Sequence, residues 1–352
     1  MKILLLSRYG THGASSRVRF LQYLPYLRQR GIELTVSPLL SNRYLDALYK
    51  GKQSWPEVCR GYVKRLFSVI SGIKYDLVII EKELFPFMPS WFEFLLKKTG
   101  VKYIVDYDDA LFHRYDKHPR WPIRALFTRK IDSVMKHASL VIAGNEYLAQ
   151  RARAAGASRV EILPSVVDLE RYQVREQRTQ HKLIIGWIGT PKTCHYLFPL
   201  KDVFLSLRND FDVRFVAVGA RPEQLKDMPI EAWPWSEATE VELIQRFDVG
   251  IMPLHDSPWE RGKCGYKLIQ YMACGVPVVS SPVGVNKNIV EPDVNGYLPE
   301  DLAQWREALL TLLKDKSKRV SLGENGRDKV ERLYSLQIQA PRLLALLQDV
   351  SY

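Results

Sequence analysis

Cysteine is scarce in this 352-residue sequence: Cys59, Cys194, Cys264 and Cys274, with no C-x-x-C pair among them. That scarcity excludes a disulfide-built scaffold and fits a reducing compartment. Long apolar runs are missing too. No segment approaches the roughly 20 consecutive apolar residues of a membrane-spanning helix. The apolar residues of Met1–Arg8 are too few for the core of a signal peptide and read instead as a buried first strand. The histidines (His12, His113, His118, His137, His181, His195 and His255) never fall at H-x-x-x-H or H-E-x-x-H spacing, which speaks against a zinc site. No G-x-S-x-G, Walker sequence, internal repeat or low-complexity tract is present.

What is there is an ordinary globular composition, 46% hydrophobic and 26% charged, with 8 Trp, 18 Tyr and 13 Phe; so much apolar and aromatic content excludes disorder. The length suits two domains. The net charge of +12 is unevenly spread. Residues 1–180 carry 30 Lys and Arg against 17 Asp and Glu, whereas 181–352 carry 21 against 22. A field this lopsided points to an acidic partner (nucleic acid, anionic lipid or a phosphorylated substrate) or to a solvated basic surface. No nucleic-acid module is recognisable, so nucleic acid is not expected.

Short Val/Ile/Leu-rich runs alternate with helical segments, as in parallel sheets buried on both faces. The first series is Lys2–Ser7, Glu33–Ser37, Asp76–Glu81, Lys102–Asp106, Ser139–Ala143 and Glu161–Pro164. The second is Leu183–Trp187, Asp212–Val218, Asp248–Met252 and Val276–Ser280. A helix near Ser16 places Val18, Leu21, Leu24 and Leu27 on one face, with Pro25 either kinking it or marking its true start. The polar stretch Tyr172–Lys182 separates the two series. The expected fold class is α/β, two doubly wound Rossmann-like domains with an interdomain cleft, ligands binding beyond the carboxyl ends of the strands.

Four places carry candidate chemistry. Ser7-Arg-Tyr-Gly-Thr-His-Gly13 joins the first strand to the Ser16 helix, so Gly10, His12 and Gly13 line either a ligand loop or a plain turn. Arg17 and Arg19 fall in what reads as the first helical turn, where cations oppose the helix dipole, and this favours a ligand role for one of them. Val105-Asp-Tyr-Asp-Asp-Ala-Leu-Phe-His113 ends a strand with clustered carboxylates, among them Asp108 and Asp109, beside His113. Acid–base work, Mg²⁺ binding and helix capping all remain open for that cluster. Gly186-Trp-Ile-Gly-Thr-Pro-Lys192 repeats the strand–glycine–helix logic with Gly189, Thr190 and Lys192. Densest is Trp259-Glu-Arg-Gly-Lys-Cys-Gly-Tyr-Lys-Leu-Ile-Gln270, where Lys263, Lys267 and the amides of Cys264, Gly265 and Tyr266 read as a diphosphate cradle, with Gln270 placed for a ribose hydroxyl.

Phe247–Leu254, Gly262–Val279, Ser281–Asn286 and Asn295–Leu298 together resemble the donor-binding half of the family-four (group 1) glycosyltransferases of the GT-B fold. Leu163-Pro-Ser-Val-Val-Asp168 resembles that family's linker-proximal signature, and Glu331-Arg-Leu-Tyr-Ser335 with the last helix resembles its C-terminal segment. The resemblance implies an acceptor-binding domain over 1–178, a nucleotide-sugar-binding domain over 179–335, and a helix over 336–352 crossing back to the first. It implies a nucleotide-sugar donor, a saccharide or lipid-linked saccharide acceptor, no essential metal, no cofactor, and transfer with retention. By position, Gly189, Thr190 and Lys263 fall near the donor's phosphates, Trp235 and Ser236 near its base, Gln270 at its ribose, and Asp108, Asp109 and His113 at its sugar. One departure is plain: the family's E-x7-E motif has Gly262 and Gln270 in place of its two glutamates.

The mechanism expected from these residues is stabilisation of the leaving diphosphate by Lys263 and Lys192, with Asp108, Asp109 or His113 deprotonating the acceptor. An inverting transferase, an epimerase or a non-catalytic nucleotide-sugar binder are the alternatives. Tyr44–Lys74 sets Lys50, Lys52, Arg60, Lys64, Arg65 and Lys74 among Trp55, Tyr62, Leu66, Phe67, Val69 and Ile70, which suits an anionic membrane surface. The implied location is cytoplasmic, or at the cytoplasmic face of a membrane.

Overall fold

A computed structural model describes residues 1–49, 51–52, 54–174 and 182–351. The chain divides into two units. One comprises Met1–Ser165, Arg261–Cys264 and Gln339–Tyr352; the other comprises Val166–Glu260 and Gly265–Ile338. The boundary expected between 178 and 179 lies outside the described residues, as does Lys50.

The first unit is built on a parallel six-stranded sheet: β1 (Lys2–Leu6), β2 (Glu33–Val36), β3 (Leu77–Glu81), β4 (Tyr103–Tyr107), β5 (Leu140–Ala143) and β6 (Val160–Ile162), in the order β2-β1-β3-β4-β5-β6. β3, β4 and β5 are buried along their whole length, as their largely apolar sequences require, with Glu81 and Asp106 the buried charges among them. β1 is the buried first strand expected of Met1–Arg8. The chain reverses direction across the sheet between β1 and β3, so the loops after these strands diverge and open a crevice at their carboxyl ends.

The second unit has a second parallel sheet: β7 (Leu183–Ile188), β8 (Val213–Val218), β9 (Ile230–Trp233), β10 (Val249–Met252), β11 (Val278–Ser280) and β12 (Gly296–Tyr297). Its order, β12-β11-β10-β7-β8-β9, is that of dinucleotide-binding folds, with the switch point between β7 and β10. β9 and β12 had no counterpart in the apolar runs. β9 is only part-buried and β12 is two residues long, so neither leaves a hydrophobic signature.

The Ser16 helix is not one helix. The chain forms Ala14–Arg19, a tight turn at Leu21–Tyr23, and a new helix Leu24–Gln29 with Pro25 in its first turn. Breaking the helix shifts the phase: Phe20 and Tyr23 are buried, and Leu21 and Leu24 only half so. Val167 is clamped within the second unit, its N–H donating to Tyr334 O at 3.1 Å and its carbonyl accepting from Leu336 N–H at 2.8 Å. Among the described residues, no helix is long and apolar enough to cross a membrane.

Candidate functional site

In the first unit, polar side chains gather at the carboxyl ends of β1, β3 and β4. β3 ends in Glu81, fully buried, which accepts from Ser15 Oγ (3.0 Å), Ser16 Oγ (2.6 Å) and Arg8 N–H (2.8 Å). The next residue, Lys82, adopts a left-handed backbone (φ 69°) that a side chain occupies only at a cost. From there its Nζ reaches Asp108 Oδ1 at 2.7 Å and Asp109 Oδ2 at 3.4 Å.

The two aspartates following β4 therefore differ. Asp108 is nearly buried and is held by Lys82 and, on its other oxygen, by Ser15 Oγ at 2.6 Å. Burial alone would push its pKa up; Lys82, the Ser15 hydroxyl and Arg19 outweigh it and hold the carboxyl below the usual aspartate value. Asp109 keeps 34% of its side chain exposed. Desolvation and the neighbouring Asp108 raise its pKa, against the pull of Lys82 and Lys263. One unit thus presents an anchored anion beside a carboxyl that holds its proton more readily than a free aspartate.

Lys263 is brought to this pair. The segment Arg261–Cys264 packs with the first unit. Asn145, buried, accepts from Leu148 N–H as the cap of the helix Glu146–Ala154, and its Nδ2 donates to Gly262 O (3.0 Å) and Lys263 O (2.9 Å). Cys264 Sγ donates to Asp108 O at 3.1 Å, with burial lifting its thiol pKa far from the reactive range. Gly262 is required sterically: a Cβ there would stand 2.5 Å from Ala110 Cβ and 2.7 Å from Ala110 N. A glutamate, the residue expected at this position from the family motif, has no room in this packing.

Three expectations need correction. Arg17 and Arg19 lie in the last turn of a six-residue helix, where cations favour the dipole rather than oppose it. Arg19 is buried and engaged inside the first unit: it pairs with both oxygens of Asp106 (3.0 and 2.5 Å) and donates to Leu163 O at 2.9 Å. Burial works against its charge, but Asp106 keeps the guanidinium protonated. His113 has both ring nitrogens engaged, Nδ1 with Asp116 and Nε2 with Tyr147 OH, each at 2.8 Å, so it is not poised as a base. Arg65 does not belong to a basic surface either. It is buried, donating to the carbonyls of Leu6, Ser7 and Ser37, and desolvation lowers its pKa to about 9.

The β1 loop is compact. A Cβ on Gly13 would fall 2.3 Å from Tyr9 Cβ, and Gly13 N–H closes a turn onto Gly10 O. His12 pairs with Asp46 at 3.0 Å and Arg17 Nη1 donates to Thr11 O at 3.2 Å, both at the surface.

In the second unit, Gly189, Thr190 and Lys192 follow β7 at the switch point, and the last two are exposed. Gly265, left-handed at φ 63°, caps the helix Tyr266–Ala273, and half-buried Tyr266 and Lys267 form its first turn. The Lys267 ammonium lies 5.7 Å from the Trp187 ring. Gln270 is buried and donates to Tyr172 OH (2.7 Å), which donates to Glu240 (2.6 Å); the other Glu240 oxygen accepts from Trp235 Nε1 at 2.9 Å. The positions expected at ribose and base are thus joined by a buried carboxylate that sequence reasoning missed. Ser236 shares a hydrogen bond with Thr239 in the turn before the helix Glu240–Gln245. Glu260 is buried, accepting from Tyr196 OH at 2.5 Å and from Ser257. Among the described residues, no group of three or more His, Cys, Asp or Glu is arranged to hold a metal ion.

Lys82, Glu81, Asn145 and Glu240 were the functional-site residues not foreseen. A charged Glu81-Lys82-Glu83 directly ending the apolar β3 was the one available signal.

Residues 182–315 match the family model described as "Glycosyl transferases group 1". Curated relatives match parts of the chain, two of them as follows. A GDP-mannose-dependent mannosyltransferase of Corynebacterium glutamicum, acting on a phosphatidylinositol monomannoside, is 35% identical over 87 residues, 24% of this chain and 23% of that protein. The putative teichuronic acid biosynthesis glycosyltransferase TuaH of Bacillus subtilis is 22% identical over 185 residues, 48% of this chain and 46% of that protein. The chain thus spans less than half the length of either. Among solved structures, sucrose-phosphate synthase from Thermosynechococcus elongatus superposes with TM-score 0.75 at 14% identity, covering 99% of both chains. Anabaena HepE in complex with UDP-glucose superposes with TM-score 0.70 at 16% identity, covering 99% of this chain and 100% of that one. Residues 182–315 thus carry the match to the group 1 glycosyltransferase model, within a chain of the GT-B fold.

Proposed function

We propose that this protein transfers a sugar from a nucleotide-sugar donor to a saccharide or lipid-linked saccharide acceptor in the assembly of a surface polysaccharide or glycoconjugate. The observation that carries this reading is the grouping of Asp109, Asp108, Lys82 and Lys263 in a chain whose remaining unit has dinucleotide-fold strand order. The relatives that bear on the donor are a GDP-mannose-dependent enzyme and a protein solved with UDP-glucose.

The second unit holds the donor, Lys192 and Thr190 following β7 and Tyr266 and Lys267 opening the helix before Gln270. The acceptor hydroxyl adds to the anomeric carbon on the face that the diphosphate leaves, as the bond from that carbon to the diphosphate breaks. The electron pair of the broken bond stays on the diphosphate, and the hydroxyl proton passes to Asp109. Charge on the departing diphosphate grows through this step, so fixed ammonium groups stabilise the transition state more than the ground state. Lys263 and Lys192 take the part that a divalent cation would otherwise play, and transfer proceeds with retention and without a metal. Lys263→Ala is expected to lower turnover of the sugar nucleotide by about tenfold to a hundredfold at unchanged unfolding temperature. Undiminished turnover would remove Lys263 from the site.

The membrane part of the reading rests on the surface of the first unit. The helix Trp55–Ser71 turns Val63, Leu66, Phe67 and Ile70 to solvent together with Arg60 and Lys64. Its neighbour Trp91–Lys98, joined to it through the tilted ring contacts of Tyr62, Phe85 and Phe92, exposes Trp91, Phe94 and Leu95 beside Lys97 and Lys98. An exposed apolar face edged with lysines fits the headgroup region of an anionic bilayer, where each basic residue contributes about 1 kcal/mol. Vesicles containing phosphatidylglycerol should bind the protein, added salt should weaken the binding, and Phe67→Glu should reduce it. Equal binding to neutral phosphatidylcholine vesicles would contradict this placement.

A further inference from the structure

The left-handed backbone at Lys82 is the feature that the account above leaves unexplained. A lysine there costs about 1–2 kcal/mol relative to a residue in an ordinary conformation. Strain of this kind persists where the surroundings over-determine it, and here they do: Lys82 N–H donates to Asp106 O at 3.0 Å, and the side chain, 9% exposed, ends between two carboxylates. The arrangement is unequal. One ammonium serves two adjacent anions at 2.7 and 3.4 Å, and the nearer anion has its second oxygen held as well, by Ser15.

We propose that Lys82 is a positioning residue: its ammonium fixes Asp108 as a standing counter-charge and leaves Asp109 as the carboxylate of the pair that exchanges its proton with a bound hydroxyl. Two neighbouring carboxylates of equal environment would share one proton between them and neither would be a dependable base. Pinning one breaks the symmetry. The other charges around the pair are Glu81 on β3, Asp106 on β4, Arg19 on the first helix, and Lys263 beside the Cys264 thiol on the segment packed with this unit. Lys82 touches both aspartates. The inference rests on the glycosyl-transfer reading solely for the identity of the hydroxyl.

The test compares Lys82→Met, which keeps the length of the side chain, with Lys82→Arg, which keeps its charge. Unfolding temperatures are followed from about pH 8 to about pH 5. Without the ammonium, the folded pKa of Asp109 rises further above its unfolded value. The Met variant should then be destabilised at the alkaline end, and the gap to wild type should close as the pH falls and Asp109 takes up its proton. The Arg variant should show little gap. In an Asp109→Asn background the pH dependence should shrink to the part contributed by Asp108, which also loses its counter-charge. A gap that does not vary with pH would reduce Lys82 to packing, and undiminished pH dependence in the Asp109→Asn background would assign the proton to Asp108; either overturns the proposal. Hydrolysis or transfer is then measured with UDP-glucose and GDP-mannose. The Met variant should lose about a hundredfold in kcat with KM for the donor unchanged, and its acid limb should move to higher pH. Arg should restore most of the rate, and an unimpaired Met variant would overturn the proposal. If wild type turns over neither probe, the transferase reading suffers, while the unfolding data still decide the role of Lys82.

Discussion

Asp109→Asn is expected to lower sugar transfer by about two to four orders of magnitude, the range set by loss of a general base. Asparagine preserves the shape of the side chain and can still receive a hydrogen bond from Lys82, so folding should survive. What it cannot do is accept the acceptor's proton. The choice of Asp109 over its neighbours follows from occupancy: Asp108 is spent on Lys82 and Ser15, and His113 on Asp116 and Tyr147. Because burial and Asp108 raise the pKa of Asp109, wild-type activity should fall on acidification at a higher pH than a free aspartate would dictate. Asp109→Asn should remove that limb from whatever activity remains. A variant with full turnover and an unchanged acid limb would show that another group takes the proton.

The second large effect is on stability. Arg19→Met should destabilise the first unit by about 3–5 kcal/mol, as expected for removing one partner of a buried ion pair. The loss has two parts: Asp106 becomes an uncompensated buried carboxylate, and Leu163 O loses its donor. An unpaired buried carboxyl has its folded pKa raised above the unfolded value. Its cost is therefore present at neutral pH and is relieved as the pH falls and the group protonates. Denaturant unfolding of Arg19→Met at neutral and mildly acidic pH should show the deficit shrinking on acidification. Arg19→Met/Asp106→Asn should recover part of it at neutral pH. A deficit below about 1 kcal/mol, the size of a surface ion pair, would contradict this account of the pair.

Arg19 also shows where sequence alone misleads. Its distance from the first helical residue suggested an N-terminal turn, and only the break before Leu21 turns the same arginine into a C-terminal one. The two doubly wound sheets were legible because parallel strands buried on both faces write themselves as short, largely apolar runs. β9 and β12 were not, since a part-buried edge strand and a two-residue strand carry no such pattern. Within the site, Asp108, Asp109 and Lys263 could be singled out from local sequence. Their meeting could not, because it depends on Asn145 holding the carbonyls of residues far along the chain. Gly262 and Gln270 looked like losses from a motif. The packing of Ala110 accounts for the first, and the buried Glu240 reached through Tyr172 supplies a carboxylate near the second.

The central claim is that this chain binds a nucleotide sugar through its second unit and does so without a metal. The most direct test is the unfolding temperature of the full chain with UDP-, GDP-, ADP- and CMP-sugars and with NAD, each with and without EDTA. A ligand at a hundred times its Kd stabilises by about 2.7 kcal/mol, which thermal unfolding resolves readily. The account predicts a rise with one class of nucleotide sugar that EDTA leaves intact. A rise with NAD alone, or with none of them, would contradict it.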